Sequence, residues 1–568
     1  MPHTDLDPRR TTPLLAGLVI VAGCVAWASR WVQDDAFITF RYSAHLVAGL
    51  GPVWNSGYAV EGYTNFLWML IVAAGLRGGI APEVFSCAIG VICFAASVLM
   101  AYRMALGLLS QRVWALIAAA LVATNYSFRM YATGGLETPL EATLTLALLL
   151  LAVEALEAKR LPPGRALAAS VLAALALMTR LDSGLVVAVV LGCLGLVAFR
   201  ESPRTRPPRV VVASALVVPL LVLVGTWFAW KLSFYGRLLP NTFYAKVGMD
   251  RSATLVRGVA YTGWMFVSYA WAPIALGVLL FARVRGVPVR DLVRLRAGEL
   301  PLVVYVALWL AYVISVGGDV MEFRMLVPII PVIVILMVDL FVRVLEDVRP
   351  VGALSALLVV ASVVHGLWFR RYVAFLNVNP IPVLAELGDP DPGANWKAVG
   401  LALRGAVAAS PDLGIGISPA GAVPYFSQAR AIDVLGLNDK WVPAHGYKRR
   451  LCTVCLGHAR LATIDYLRQS RVHLVLGHPQ HLSYLHPSPN PLGIVRAMFF
   501  GEDIDFENLP PNASLLRIPL HDDVALAAAY IEPNPEIDRL IAAGVWRDQP
   551  LVGAGRAQGD LVDRPMPR

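Results

Sequence analysis

Tyr63-Thr64-Asn65-Phe66-Leu67-Trp68-Met69-Leu70-Ile71-Val72-Ala73-Ala74-Gly75-Leu76 is the stretch on which the topology turns, because whether it crosses a membrane sets the side of everything after it. The surrounding chain leaves no doubt that a membrane is involved. Of its 568 residues 57% are hydrophobic and only 15% charged, and the mean hydropathy is +0.63, too apolar for a soluble protein of this size. Apolar runs long enough to span lie near 13–29, 83–104, 113–128, 137–157, 166–181, 184–199, 210–231, 257–281, 300–316, 325–342 and 351–369, which gives about eleven transmembrane helices.

Basic residues decide the status of 63–80, since short cytoplasmic loops carry an excess of Lys and Arg. If 63–80 stays on one side, then Arg103 and Arg112; Lys159, Arg160 and Arg165; Arg200, Arg204, Arg206 and Arg209; Arg283, Arg285, Arg290, Arg294 and Arg296; and Arg343 and Arg349 all share a side with Arg9 and Arg10. That side reads as the cytoplasm. The stretch 63–80 is then expected as a helix lying in the outer interface, anchored by Tyr63 and Trp68. The first apolar run follows Arg9 and Arg10 as a signal peptide would, but the polar segment behind it and the ten further runs favour a first spanning helix. The same distribution argues against nucleic acid: the net charge of +9 is scattered between apolar runs rather than gathered on one domain.

Segments 30–82, 129–136, 180–182, 232–256, 317–324 and everything after 370 fall outside, and they hold nearly all the unusual polar residues. The first outer loop reads Gln33-Asp34-Asp35-Ala36-Phe37-Ile38-Thr39-Phe40-Arg41-Tyr42 and runs through Trp54-Asn55 to Val60-Glu61-Gly62-Tyr63-Thr64-Asn65. Two adjacent carboxylates at a helix exit repel each other beside a low-dielectric medium, which suits one of them to act as a general base; an acidic pair marking a helix end in water is the plainer alternative. Later loops add Gly134-Gly135-Leu136-Glu137-Thr138, Arg180-Leu181-Asp182, Pro240-Asn241-Thr242-Phe243-Tyr244-Ala245-Lys246 and Gly317-Gly318-Asp319-Val320-Met321-Glu322-Phe323-Arg324. Charges at membrane depth are costly, so five loops presenting both signs at one level suggest a single site. Cations there can hold a phosphate as it leaves while a carboxylate deprotonates an acceptor hydroxyl. No Walker or Gly-x-Gly-x-x-Gly signature is present, so a donor anchored in the bilayer is the economical choice.

From about residue 376 the composition turns globular. Strand-like 412–418, 431–435 and 472–476 alternate with helical 393–409 and 459–470, as in an α/β domain. The expected division is a transmembrane domain over 1–370, with its first outer loop at 30–82, and an extracytoplasmic α/β domain over 371–568. Cys24, Cys87, Cys93 and Cys193 lie in apolar segments and read as packing residues, while Cys452 and Cys455 read as a disulfide or as incidental thiols in preference to a zinc half-site with His458. His365 reads as a satisfied interior histidine. Trp227, Trp230, Trp264, Trp271 and Trp309 fit packing or belt roles, and Trp54 and Trp441 stand out as acceptor contacts to test.

The motifs Asp34-Asp-Ala-Phe-Ile-Thr-Phe-Arg-Tyr42, Val60-Glu-Gly-Tyr-Thr-Asn-Phe-Leu-Trp68, Gly134-Gly-Leu-Glu-Thr138, Pro240-Asn-Thr-Phe-Tyr-Ala-Lys246, Gly317-Gly-Asp319 and Ala431-Ile-Asp-Val-Leu-Gly-Leu-Asn-Asp439 resemble those of the GT-C integral membrane glycosyltransferases, and more narrowly the mycobacterial arabinofuranosyltransferase B family. The resemblance implies a GT-C fold and transfer of arabinofuranose from decaprenylphosphoryl arabinose to an arabinan- or galactan-like cell-wall glycan, at the outer face of a bacterial inner membrane. It also implies that Asp34 and Asp35 are essential, one as base. Charge and topology add Arg180, Lys246 and Arg324 as phosphate contacts, or as side chains snorkelling at helix ends. Arg41, Glu61, Tyr63, Asn65, Glu137, Asp182, Asn241, Tyr244 and Asp319 are expected to line the sugar and acceptor pocket. No metal-ligand set is assigned, although carboxylates near a phosphate could hold a divalent cation. A transporter or flippase for a lipid-linked sugar, or a non-catalytic envelope scaffold, are the readings of another class.

Overall fold

The computed structural model describes residues 5–200, 208–246, 250–369, 378–388, 395–452 and 458–551. Contacts divide the chain into two units. The first comprises Met1–Gly51, Thr64–Leu238 and Asp250–Glu386, and the second Pro52–Tyr63, Leu239–Met249 and Leu387–Arg568.

The first unit is helical. Among the described residues eight helices are long and apolar enough to cross a membrane: Pro8–Ala28, Pro82–Leu109, Thr138–Ala158, Leu181–Arg200, Arg209–Tyr235, Ala297–Val316, Arg324–Leu345 and Val348–Trp368. The chain is a multi-pass membrane protein. Against the eleven expected spans, Arg112–Thr124 and Pro163–Thr179 form shorter apolar helices, and 257–281 is not one rod but Arg251–Ser268 and Trp271–Val284, bent by 68°. The break lies at Ala270, whose φ of +57° is left-handed, next to a fully buried Tyr269 whose hydroxyl is hydrogen-bonded to Ser127. Neither residue is a Gly or Pro, and the mark that the sequence does carry is Pro273, three residues past Ala270.

Burial ranks the helices. Arg324–Leu345 is 78% buried and Thr138–Ala158 61%, against 17% for Pro8–Ala28 and for Arg209–Tyr235. The first two are the packed centre, while the outer pair display Ile20, Val21, Val210, Leu221 and Val222, as helices facing lipid do. Close approach at the centre needs Gly90, where a Cβ would lie 1.9 Å from the Ala132 carbonyl oxygen.

Phe66–Arg77 is a helix of 12 residues, about 18 Å long and well short of a hydrocarbon core of about 30 Å. Its expected anchors are corrected. Trp68 is fully buried, its indole N–H donating to the Gly135 carbonyl at 2.9 Å, and Tyr63 is buried within the second unit; both rings serve protein packing instead of the water interface.

Among the described residues the second unit holds nine strands: β1 (Gly414–Ile417), β2 (Arg430–Asp433), β3 (Tyr447–Lys448), β4 (Arg460–Leu461), β5 (Leu474–Gly477), β6 (His481–Ser483), β7 (Ser514–His521), β8 (Val524–Tyr530) and β9 (Arg547–Pro550). Seven form one sheet, ordered β2-β1-β5-β8-β7-β9 with β6 also on β8; β3 and β4 make a separate pair. β1 runs parallel to β2 and β5, and the pairings beyond β5 are antiparallel. The parallel half is fed by helical crossovers such as Ala422–Ser427 and Ile464–Gln469, the pattern that such pairing requires. Val434, Leu467, Val475, Phe499, Leu515 and Ala527 belong to its core.

This unit is not one stretch of chain. The indole N–H of Trp54 donates to the Ala420 carbonyl at 3.3 Å and the Asn55 side-chain amide to Ala431 at 2.6 Å. Trp54 is fully buried and therefore no surface for an acceptor, contrary to the expectation. Cys452 is disulfide-bonded, and Cys455 lies outside the described residues.

Candidate functional site

Within the first unit, the loops singled out by their charges meet around Arg180. Its backbone leaves the helix Pro163–Thr179 in an extended conformation, which turns the guanidinium back among carboxylates. Nη1 donates to Glu137 at 2.9 Å, Nε and Nη2 grip the Asp182 carboxylate at 3.0 and 2.6 Å, and Glu141 lies 3.4 Å away. The other Glu137 oxygen accepts from the Asn65 amide at 2.7 Å, and the Thr39 hydroxyl donates to Asn65 at 3.1 Å. Tyr312 donates to Asp182 at 3.3 Å. Burial pushes the Glu137 carboxyl upward, yet Arg180 and Arg324 together with the Asn65 amide outweigh it, and the group is held below the ordinary carboxylate range.

The segment 317–324 adds a second centre. Arg324 Nε donates to Asp319 at 2.7 Å, and Arg257 holds the segment by donating to the carbonyls of Gly317 and Asp319. Gly317 and Gly318 both have positive φ, and a Cβ on Gly318 would sit 2.5 Å from the Tyr261 ring, so only glycine fits there. The charges of Asp319, Arg180, Glu137 and Asp35 all act on Arg324, which ties the first outer loop to the same neighbourhood.

Asp34 and Asp35 open the helix Asp34–Val47, capped by the Gln33 side chain, which accepts the Asp35 N–H. The aligned peptide N–H groups at such an end favour negative charge. Asp34 is 5% exposed and Asp35 partly so. Further along the same helix Arg41 is buried, and desolvation pulls its guanidinium down to about 10.

The remaining expected site residues lie in the second unit. Glu61 and Asn241 are buried and Tyr244 is 38% exposed; the side chain of Lys246 lies outside the described residues. Asn241 serves the fold, for its amide nitrogen donates to the carbonyls of Gly436, Leu437 and Asp439 at 2.8, 3.2 and 2.8 Å. That turn is built on Asp433, whose carboxylate accepts from the backbone of Leu435, Gly436 and Asn438 and from the Asn438 side chain. Burial pushes Asp433 up to about 6 in spite of these donors. Asn241→Ala strands buried carbonyls and is expected to cost about 1–3 kcal/mol, read as faster amide hydrogen exchange over 433–442 and a lower melting temperature. Asn241→Asp, which puts oxygens against oxygens, is expected to do worse. Trp441 stacks on Tyr466 at 3.9 Å with the rings 4° from parallel.

Sequence reasoning misses Glu141, Tyr312 and Glu322. Glu141 carries a usable signal: it lies one turn after Glu137 at a helix start, the spacing that puts both on one face. Tyr312 sits in an apolar run and carries none. Arg180, expected as a phosphate contact, already holds carboxylates with all three of its guanidinium nitrogens. Among the described residues no group of three or more His, Cys, Asp or Glu side chains could hold a metal ion.

Residues 393–520 match a family described as "Domain of unknown function (DUF8728)". The chain is 28% identical over 358 residues to a terminal beta-(1->2)-arabinofuranosyltransferase of Corynebacterium glutamicum, a match covering 57% of this chain and 50% of that protein. To the protein so named in Mycobacterium tuberculosis it is 28% identical over 286 residues, 47% of this chain and 43% of that one. The chain therefore spans about half the length of the curated relatives it matches. Among solved structures, ArnT from Cupriavidus metallidurans bound to undecaprenyl phosphate aligns with a TM-score of 0.51 at 14% identity, covering 92% of this chain and 98% of that one. Apo ArnT gives 0.52 at 14%, covering 91% and 97%. The fold is that of ArnT, and the similarity to arabinofuranosyltransferases read from the motifs holds.

Proposed function

We propose that the chain is a polyprenyl-phosphate-dependent glycosyltransferase that moves arabinofuranose from decaprenylphosphoryl arabinose to a hydroxyl of an arabinan- or galactan-like cell-wall glycan, at the outer face of the membrane. The observation that carries this is the convergence of ionisable side chains from distant stretches: the Asn65–Glu137–Arg180–Asp182 network, with the Asp319–Arg324 pair and Asp35 in electrostatic reach. The relatives named as terminal arabinofuranosyltransferases support the choice of sugar.

In this reading Arg324 meets the donor phosphate. It is paired with Asp319 through Nε, and a planar guanidinium suits phosphate oxygens. Negative charge gathers on the phosphate as the anomeric C–O bond breaks, and a fixed cation there stabilises the transition state more than the ground state. The acceptor hydroxyl attacks the anomeric carbon from the opposite face while Asp34 or Asp35 takes its proton, so the bonding pair leaves with the phosphate and the configuration inverts. Arg180 fixes the Glu137 and Asp182 carboxylates in place, where they can accept hydrogen bonds from sugar hydroxyls.

The test is incubation of the purified full chain with synthetic decaprenyl-phosphate sugars and arabinan or galactan oligosaccharides. The expected product is an acceptor longer by one pentose, with release of decaprenyl phosphate. Use of another sugar in place of arabinose overturns the donor assignment, and inactivity towards every donor overturns the enzymatic one.

A further inference from the structure

Two residues before Arg324 the chain buries a carboxylate that the transfer chemistry does not use. The side chains of Glu322 and His365 are both 0% exposed. One Glu322 oxygen is 2.9 Å from His365 Nε2 and 3.4 Å from the Ser127 hydroxyl, which is itself 2.7 Å from the Tyr269 hydroxyl. The other oxygen accepts the backbone N–H of Ile381 at 2.8 Å. The main chain is stitched at the same place: Asn379 donates to the Val320 carbonyl at 2.7 Å and Glu322 donates to the Asn379 carbonyl at 3.1 Å. Separate stretches of chain thus close on one acidic side chain.

The next residue shows what this grip imposes. Phe323 has φ +44° and ψ 17°, a left-handed conformation that a bulky non-glycine residue holds only where its surroundings dictate it. Its ring is fully buried against Tyr261, Tyr269, His365 and Phe369. Arg324 emerges directly from this residue and turns its guanidinium back onto Asp319. The direction of Arg324 is therefore set by the turn at Phe323, and that turn is held on one side by the Glu322 carboxylate and on the other by the ring packed on His365.

We propose that the buried Glu322–His365 pair is a positioning device that aims Arg324 at the donor phosphate. The inference rests on Arg324 being a phosphate contact. Glu322 and His365 touch no substrate, and their effect passes through Arg324. A pair that only stabilised the fold would leave the aim of Arg324 unaffected.

A double-mutant cycle on the full-length protein separates the two. His365→Leu is expected to lower kcat by about 10- to 100-fold, the scale of a small misplacement of a catalytic group, with a much smaller change in the acceptor KM. His365→Gln, which keeps an N–H for Glu322, is expected to recover most of the rate. Once Arg324→Gln has removed the group being aimed, adding His365→Leu is expected to cost nothing more. If the two losses multiply instead, the positioning role is overturned. Should His365→Leu fail to fold, Glu322→Gln, of nearly equal volume, enters the same cycle against Arg324→Gln with the same two outcomes. If the wild-type protein transfers no sugar at all, the functional reading fails separately, and the cycle is read from the affinity for decaprenyl phosphate: non-additive losses support the device and additive losses overturn it.

Discussion

Replacing Asp34 or Asp35 by asparagine is expected to lower sugar transfer by about 10²- to 10⁴-fold, the range general-base catalysis supplies, with the protein still folded. Asparagine keeps the shape of the side chain but cannot accept the proton of the attacking hydroxyl. Both residues open the helix Asp34–Val47, where the helix dipole favours a carboxylate by up to about 2 kcal/mol in a partly buried setting. A large fall in rate with only a modest change in melting temperature is thus the signature of the base, and the variant with the larger fall identifies it. Initial rates with the natural donor and melting in the same detergent provide both quantities. Near-normal rates for both variants would place the base elsewhere.

Arg180→Gln is expected to do the opposite, failing first in stability. Glu137, Glu141 and Asp182 have side chains 3%, 5% and 6% exposed and share Arg180 as their common counter-ion. Removing one partner of a buried ion pair typically costs about 3–5 kcal/mol, and here three acids lose theirs. Arg180→Lys is expected to rescue little, because a point charge cannot reproduce the fork that grips Asp182 through two nitrogens while a third reaches Glu137. The pH dependence has a definite sign. In the wild type Glu137 is held below its ordinary value, as burial raises it and Arg180 more than compensates, so its contribution is present above the unfolded carboxylate pKa and is lost as pH falls through the depressed one. In the variant burial is no longer offset by Arg180 and lifts the carboxyl, so acidification neutralises the stranded charge and should recover stability. A melting temperature that rises on mild acidification of Arg180→Gln, but falls for the wild type, checks both halves.

Much of this was legible in the residues, for reasons that also explain the remainder. The run 63–76 was readable as a helix because it is apolar and free of Pro, and a 12-residue helix is there; its place on one side of the membrane is read from the Arg and Lys of distant loops alone. The β1, β2 and β5 strands were readable because Gly-Ile-Gly-Ile, Ala-Ile-Asp-Val and His-Leu-Val-Leu are short apolar runs between turn residues. The bend at Ala270 was passed over although Pro273 lies three residues on; the left-handed alanine itself depends on tertiary packing at Tyr269. The reach of Trp54 and Asn55 to partners 366 and 376 residues away was not readable, because hydrophobic patterning shows that a side chain is buried but not against what. Of the candidate site, the charged residues at helix ends stand out in the sequence by their cost to a membrane. Glu322 lay in view within the motif, but its function depends on His365, Ser127 and Ile381, which no spacing rule connects.

The most direct measurement is a structure of the protein in a lipid nanodisc with decaprenyl phosphate bound. Phosphate density against Arg324, on the side of Asp35 and the acids around Arg180, is the expected result. Density instead in the cavity lined by Asp291, Arg294, Leu295, Arg296 and Arg343, with the Arg324 neighbourhood empty, would contradict the assignment of the active centre.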